Sequence, residues 1–124
     1  MIDKDRLLAT LSAILSEKYK VKVKVIIKRP DEPVGHVTHV SDSLKNLQQI
    51  VDGHLEAVTL DPAGLVMLCN DEGKLRGLPL NFCTKYDSIM GTVILCGVDG
   101  ENFGDVPINL KTWKTLLSTW GNRV

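Results

Sequence analysis

Apolar positions along this 124-residue chain keep two different periods, and each change of period marks a change of element. Leu7, Leu8, Leu11, Ile14 and Leu15 share one face at helical spacing, which predicts an amphipathic helix starting at an Asp3 or Asp5 cap. From Lys20 to Lys28 the period drops to two: Val21, Val23, Val25 and Ile27 alternate with Lys20, Lys22, Lys24 and Lys28, predicting a strand with one buried and one cationic face. The run from Arg29 to Gly35 contains Pro30 and Pro33 and cannot continue that strand. His36 to Val40 resumes a short strand, expected to pair antiparallel with the first.

Leu44, Leu47, Ile50 and Val51 predict a second helix, capped by Ser41 or Asp42 and stopped by Gly53. His54 to Leu60 and Leu65 to Cys69 flank Asp61-Pro62-Ala63-Gly64 and predict a hairpin. Asn70-Asp71-Glu72-Gly73 reads as another turn, after which Lys74 to Leu78 returns as a strand or extended edge, limited by Pro79. An irregular stretch through Asn81 and Asp87 leads to Ile89 to Val98, the most apolar strand candidate and the expected central strand. Asp99, Gly100 and Gly104 mark a loop, and a last helix over 109–120 turns Leu110, Trp113, Leu117 and Trp120 to one side. This order predicts an α+β fold, a mostly antiparallel sheet with helices packed on one face, preceded by an N-terminal amphipathic helix. Residues 1–18 then form a helical extension, and 19–124 a single α+β domain.

Composition narrows the class. With 44% hydrophobic residues, 24% charged and 5 prolines, disordered, collagenous and disulfide-scaffold classes are excluded. The formal net charge of zero hides a split, since residues 1–29 carry 8 basic and 3 acidic groups and the remainder 7 and 12. Cys69, Cys83 and Cys96 form no CxxC and read as small buried residues of a reducing compartment. No window reaches the ~20 consecutive apolar residues of a membrane span, and no secretory signal opens the chain, so a cytoplasmic protein without membrane contact is expected.

The strings Leu47-Gln48-Gln49-Ile50-Val51-Asp52-Gly53-His54-Leu55-Glu56-Ala57-Val58, Gly64-Leu65-Val66-Met67-Leu68-Cys69-Asn70-Asp71-Glu72-Gly73-Lys74-Leu75-Arg76-Gly77-Leu78-Pro79-Leu80-Asn81 and Asp87-Ser88-Ile89-Met90-Gly91-Thr92 carry a resemblance. Over about residues 44–98 the chain resembles a small domain family of unknown function common in phages and in conjugative elements of gut Firmicutes. Asn70 to Asn81 is the specific part, and the helix before Lys20 departs from the family's short form. The resemblance implies a mobile-element origin and an accessory, non-enzymatic role, and brings no catalytic mechanism.

Two groups of residues are candidate ligand sites. Asn70, Glu72, Lys74, Arg76 and Asn81 supply an acceptor, two cations and amides within a dozen residues; in extended chain 72, 74 and 76 share a face and can line a polar pocket, or else simply form a solvated face. Lys22 and Lys24, with Lys20 and Lys28, form a like-charged row that invites an anionic partner, or else protects an edge strand. Tyr19 is the one aromatic near this row, so base stacking is poorly served, and a small anionic ligand fits better than nucleic acid. His36 and His39 fall on opposite strand faces, so no metal is expected. There is no GxSxG, Walker loop or HExxH, and no cofactor is implied.

The resulting expectation is a non-catalytic accessory protein, a homo-oligomer that sequesters a small anionic ligand such as a linear or cyclic nucleotide immune signal. The alternatives are a protein-protein adaptor or inhibitor of a host factor using the acidic region beyond residue 30, and a small hydrolase. A contact between the basic opening segment of one subunit and the acidic body of another is a further use of the charge split, tested by the salt dependence of oligomerisation.

Overall fold

The computed structural model describes residues 22–61 and 64–124, so the expected N-terminal helix and extension, with Lys20 and Val21, lie outside the described residues. The elements run β1 (Lys22–Lys28), β2 (His36–Ser41), α1 (Leu44–Val51), β3 (Leu55–Asp61), β4 (Leu65–Asn70), β5 (Leu80–Cys83), β6 (Ser88–Met90), β7 (Val93–Asp99), β8 (Asn102–Gly104) and α2 (Leu110–Thr119). The main sheet has the order β2-β1-β7-β4-β3, with β8 pairing β7. Every strand pair described is antiparallel, as expected. The predicted β1–β2 and β3–β4 pairs are present.

Register explains the core. Ile26, Leu95 and Met67 stand in one row across β1, β7 and β4, and Ile27, Ile94 and Leu68 in the next. Adjacent rows point to opposite faces. The first face joins Ile26, Met67, Cys69, Val93 and Leu95 to Phe82 of β5 and to Trp113 and Leu117 of α2. The second joins Val25, Ile27, Val66, Leu68, Ile94 and Cys96 to Leu47 and Val51 of α1. The two helices therefore cover opposite faces, not one face as the sequence suggested. Two-sided burial is why β4 and most of β7 are continuous apolar runs rather than alternating ones.

That arrangement also revises β1. Lys22 and Lys24 are exposed, but Ile26 and Lys28 on the same face are buried beneath the α2 side. Nor is β1 an edge: β2 flanks it on one side, while β7 and the Asp105–Val106 segment flank the other. Lys24 N–H donates to Asp105 Oδ1 at 2.8 Å, and Val106 N–H donates to the Lys24 carbonyl at 2.8 Å.

Local chemistry sets the element ends. Ser43, rather than Ser41 or Asp42, caps α1, its hydroxyl accepting from Asn46 N–H at 3.2 Å. Asp52, not Gly53, takes the left-handed position that stops α1, with φ 60°. Asn109 caps α2 by accepting from Thr112 N–H at 2.8 Å. The expected single strand from Ile89 to Val98 is interrupted at Gly91, whose φ of 82° ends β6 before β7 begins at Val93. The stretch read as irregular, through Asn81 and Asp87, is a β5–β6 ribbon.

Candidate functional site

Residues 71–77 do not return as a strand; they form a short helical turn. Arg76 N–H donates to the Glu72 carbonyl at 2.9 Å, Gly77 N–H to Lys74 at 3.1 Å, and Leu78 N–H to Gly73 at 3.0 Å. The last two bonds are the paired closure of a Schellman motif, with Gly77 in the left-handed position at φ 63°. Because the backbone is helical, Glu72 and Arg76 share a side and Lys74 turns away, so the extended-chain argument for one face of 72, 74 and 76 does not hold.

Each of these side chains except exposed Glu72 has an internal partner. Asn70 is buried, its amide donating to the Val51 carbonyl at 3.2 Å and the Asp52 carbonyl at 2.9 Å, and its Oδ1 accepting from Glu72 N–H at 2.8 Å. Arg76 pairs with the Asp52 carboxylate at 3.0 Å and donates to the Asp52 carbonyl. Lys74 pairs with Asp87 of the ribbon and, with Ser88 N–H, holds that carboxyl below its ordinary value. Lys22 and Lys24 stand at the other end of the sheet. Ile27 and Leu68 share a row, so Lys24 and Asn70 lie five rows apart, about 17 Å at ~3.4 Å per residue.

Asn81 and Lys28 meet where β1 ends. The Asn81 amide donates to the Lys28 carbonyl at 2.7 Å and to the Gly91 carbonyl at 2.8 Å. Its Oδ1 and carbonyl accept from Lys28 Nζ at 2.5 and 3.2 Å. Lys28 is 3% exposed, and among the described residues no carboxylate lies within ion-pairing distance of its ammonium. Burial pulls its pKa below the ordinary lysine value, against the opposing fields of Glu32 and Asp31. An ammonium has three donors and Asn81 takes two. Lys28 lines a cleft of ≈ 260 Å³ with Asp31, Glu32, Asn81, Phe82 and Arg123. Glu32 is itself engaged, with His36 Nδ1 at 2.7 Å and Arg29 N–H at 3.1 Å; burial opposes its ionisation, but these bonds hold its pKa below the ordinary value.

A second concavity, ≈ 380 Å³, lies on the α2 face between β3–β4 and the ribbon. Val58, Met67, Cys69, Ile89 and Trp120 give it an apolar lining; Glu56, Lys85 and Asp87 add charge, and Tyr86, 88% exposed, stands beside them. Burial pushes the Cys69 thiol up to about 11, helped by Glu56, Asp71 and Asp87. Burial alone does the same to Cys96 on the other face. Neither thiol has the electropositive surroundings of a nucleophile.

With this geometry in hand, comparison with protein families finds a match over residues 23–118 to the domain of unknown function DUF3846. The chain belongs to the DUF3846 family. No curated protein and no solved structure matches it. The match runs from β1 into α2 and so extends beyond the 44–98 region that carried the resemblance. Within this DUF3846 domain the specific string from Asn70 to Asn81 braces the fold: Asn70 and Arg76 tie β4 to the end of α1, Lys74 ties the turn to the ribbon, and Asn81 ties the ribbon to β1. Sequence reasoning missed Asp52 and Asp87 as partners of the two cations, and Lys28 as a buried group. A signal for Lys28 was present, since Ile26 breaks the alternation of β1 and marks burial of its cationic face from that point on.

Proposed function

We propose that this DUF3846 protein sequesters a small anionic ligand without transforming it, receiving the anionic end in the Lys28 cleft. One observation carries the reading: a buried ammonium with a donor to spare lines a concavity that Arg123 also lines. A buried ammonium without an ion pair is costly, and the fields of Glu32 and Asp31 offset only part of that cost, so an anion entering beside it recovers electrostatic energy that the free protein lacks. Asp31 and Glu32 oppose a polyanion but can accept from hydrogen-bond donors. The combination favours a ligand with one anionic end and a polar, donor-bearing body, which is nucleotide chemistry. The cleft is smaller than the ~300–1,000 Å³ of pockets that enclose a whole drug-sized ligand, so it takes one end of the molecule. In a phage or conjugative element, as the sequence resemblance implies, removal of a nucleotide immune signal is a use for such binding.

A thermal-shift panel of linear and cyclic nucleotides tests this. A nucleotide at 100 times its Kd adds about 2.7 kcal/mol of stability, and the shift is expected to vanish in Lys28→Met, which keeps the apolar stem and removes the charge. Nucleotide recovered by denaturing the complex is expected unchanged; a converted product points to an enzyme. No shift with any nucleotide sinks the proposal.

A further inference from the structure

The main sheet ends at β3, and among the described residues nothing pairs with its outer edge. The Asp71 N–H to His54 carbonyl bond, 3.0 Å, sets the phase of the β3–β4 ladder. Antiparallel bonding alternates, so Glu56 and Val58 face β4 through their backbone groups, and the N–H and C=O of Leu55, Ala57 and Thr59 point outward. This outward row holds no charge and no proline, and the register irregularity between Thr59 and Asp61 comes only at its end. Among the described residues neither a proline nor a bulge protects its first five residues, and Glu56 is their one charge. Side chains of Glu56, Val58 and Leu60 face the apolar groove, so an edge that can bind backbone runs beside a concavity that can take side chains.

We propose that β3 and its groove bind an extended segment of a partner protein, added as a further strand, whose groove-facing positions are apolar and basic. The apolar preference follows from Val58, Met67 and Trp120. The basic preference follows from Glu56, exposed on β3 itself and without an ion pair among the described residues, whereas Asp87 is paired with Lys74 and Lys85, the cation of the lining, lies over the Tyr86 ring. A second copy is the poorer occupant, because pairing β3 with β3 brings two Glu56 carboxylates to one seam. Main-chain bonds supply affinity and the groove supplies specificity. This site is separate from the Lys28 cleft and stands or falls independently.

The probe is a blocked nonapeptide with leucine and lysine at alternate even positions and threonine between them, titrated by calorimetry against the full chain. It is expected to bind, and its counterpart with glutamate for lysine to bind at least tenfold more weakly. Ala57→Pro removes one outward N–H while sparing the ladder to β4, and is expected to weaken the lysine peptide at least tenfold. Glu56→Lys, which leaves the backbone alone, is expected to reverse the charge preference. Absence of binding at millimolar peptide, equal affinity for both peptides, or peptide binding unchanged by both substitutions overturns the proposal. So does a peptide-free dimer that Ala57→Pro dissociates, which assigns the edge to a second copy.

Discussion

Lys28 and Asn81 illustrate how far one side chain's meaning depends on its surroundings. In the sequence Lys28 is the fourth lysine of an alternating row; in the fold Phe82 and Asn81 cover it, with Nζ 5.9 Å from the Phe82 ring centre. Asn81→Ala removes the acceptor of a buried ammonium and the amide joining β1 to Gly91, so an unfolding cost of about 2–4 kcal/mol is expected. Adding Lys28→Met to that variant removes the stranded charge, and the pair is expected to couple by at least about 1 kcal/mol in a double-mutant cycle. Additive effects refute the linkage. Proton binding offers a second check. Lys28 is held below its ordinary value by burial, so between the folded value and the unfolded ~10.4 the unfolded chain binds more protons. Stability from this group is therefore lowest below the folded pKa and rises with pH toward ~10.4. The wild type is expected to gain alkaline stability relative to Lys28→Met, as chemical denaturation at successive pH values reads directly.

At the scale of elements, what the sequence made legible follows from length. β1 and α2 are long enough for a period to repeat, β3 and β4 are apolar runs set off by the turn residues between them, and each was read correctly as to kind. The turn over 71–77 completes too little helix for a 3.6-residue period to show, and its Lys-Leu-Arg core imitates strand alternation. The β5–β6 ribbon, only four and three residues long, was lost for the same reason. The signals that remain in such segments are single residues with strict backbone demands. Gly77 is one: no atom lies within 4 Å of where its Cβ would stand, so Gly77→Ala meets conformational strain without a clash. A cost of about 1–2 kcal/mol is expected from denaturant titration, the penalty of an L-residue in left-handed geometry. A cost near zero means that this Schellman turn is not held in the folded protein. Such a turn matters for the family string, because it aims Lys74 and Arg76 at Asp87 and Asp52 on different elements.

Across the whole molecule, the sheet separates two cores that the sequence did not distinguish. Alternation in the first half of β1 announces one solvent face, and only its Val25-Ile26-Ile27 run shows that both faces are later covered. The charge split is likewise redistributed: Lys22 and Lys24 reach solvent, whereas Lys28 is enclosed and Arg29 pairs with Glu32. Each core contains one cysteine, Cys69 on the α2 face and Cys96 on the α1 face, while Cys83 sits half-buried on the ribbon. Both thiols are buried and have pKa values pushed up to about 11, so they react slowly in the folded protein and faster when opening exposes them. Thiol labelling of the native protein is then expected to show one fast phase, from Cys83, and two slow ones. The central strand β7 contributes Val93 and Leu95 to one core and Ile94 and Cys96 to the other, so neither face can be lost without exposing the strand they share. Opening free energies read at Cys69 and Cys96 are therefore expected to agree with each other and with the global unfolding value. A markedly lower value at Cys69 alone would show that the groove side opens by itself, and that the ribbon and α2 form a separable unit laid over a sheet which stays intact.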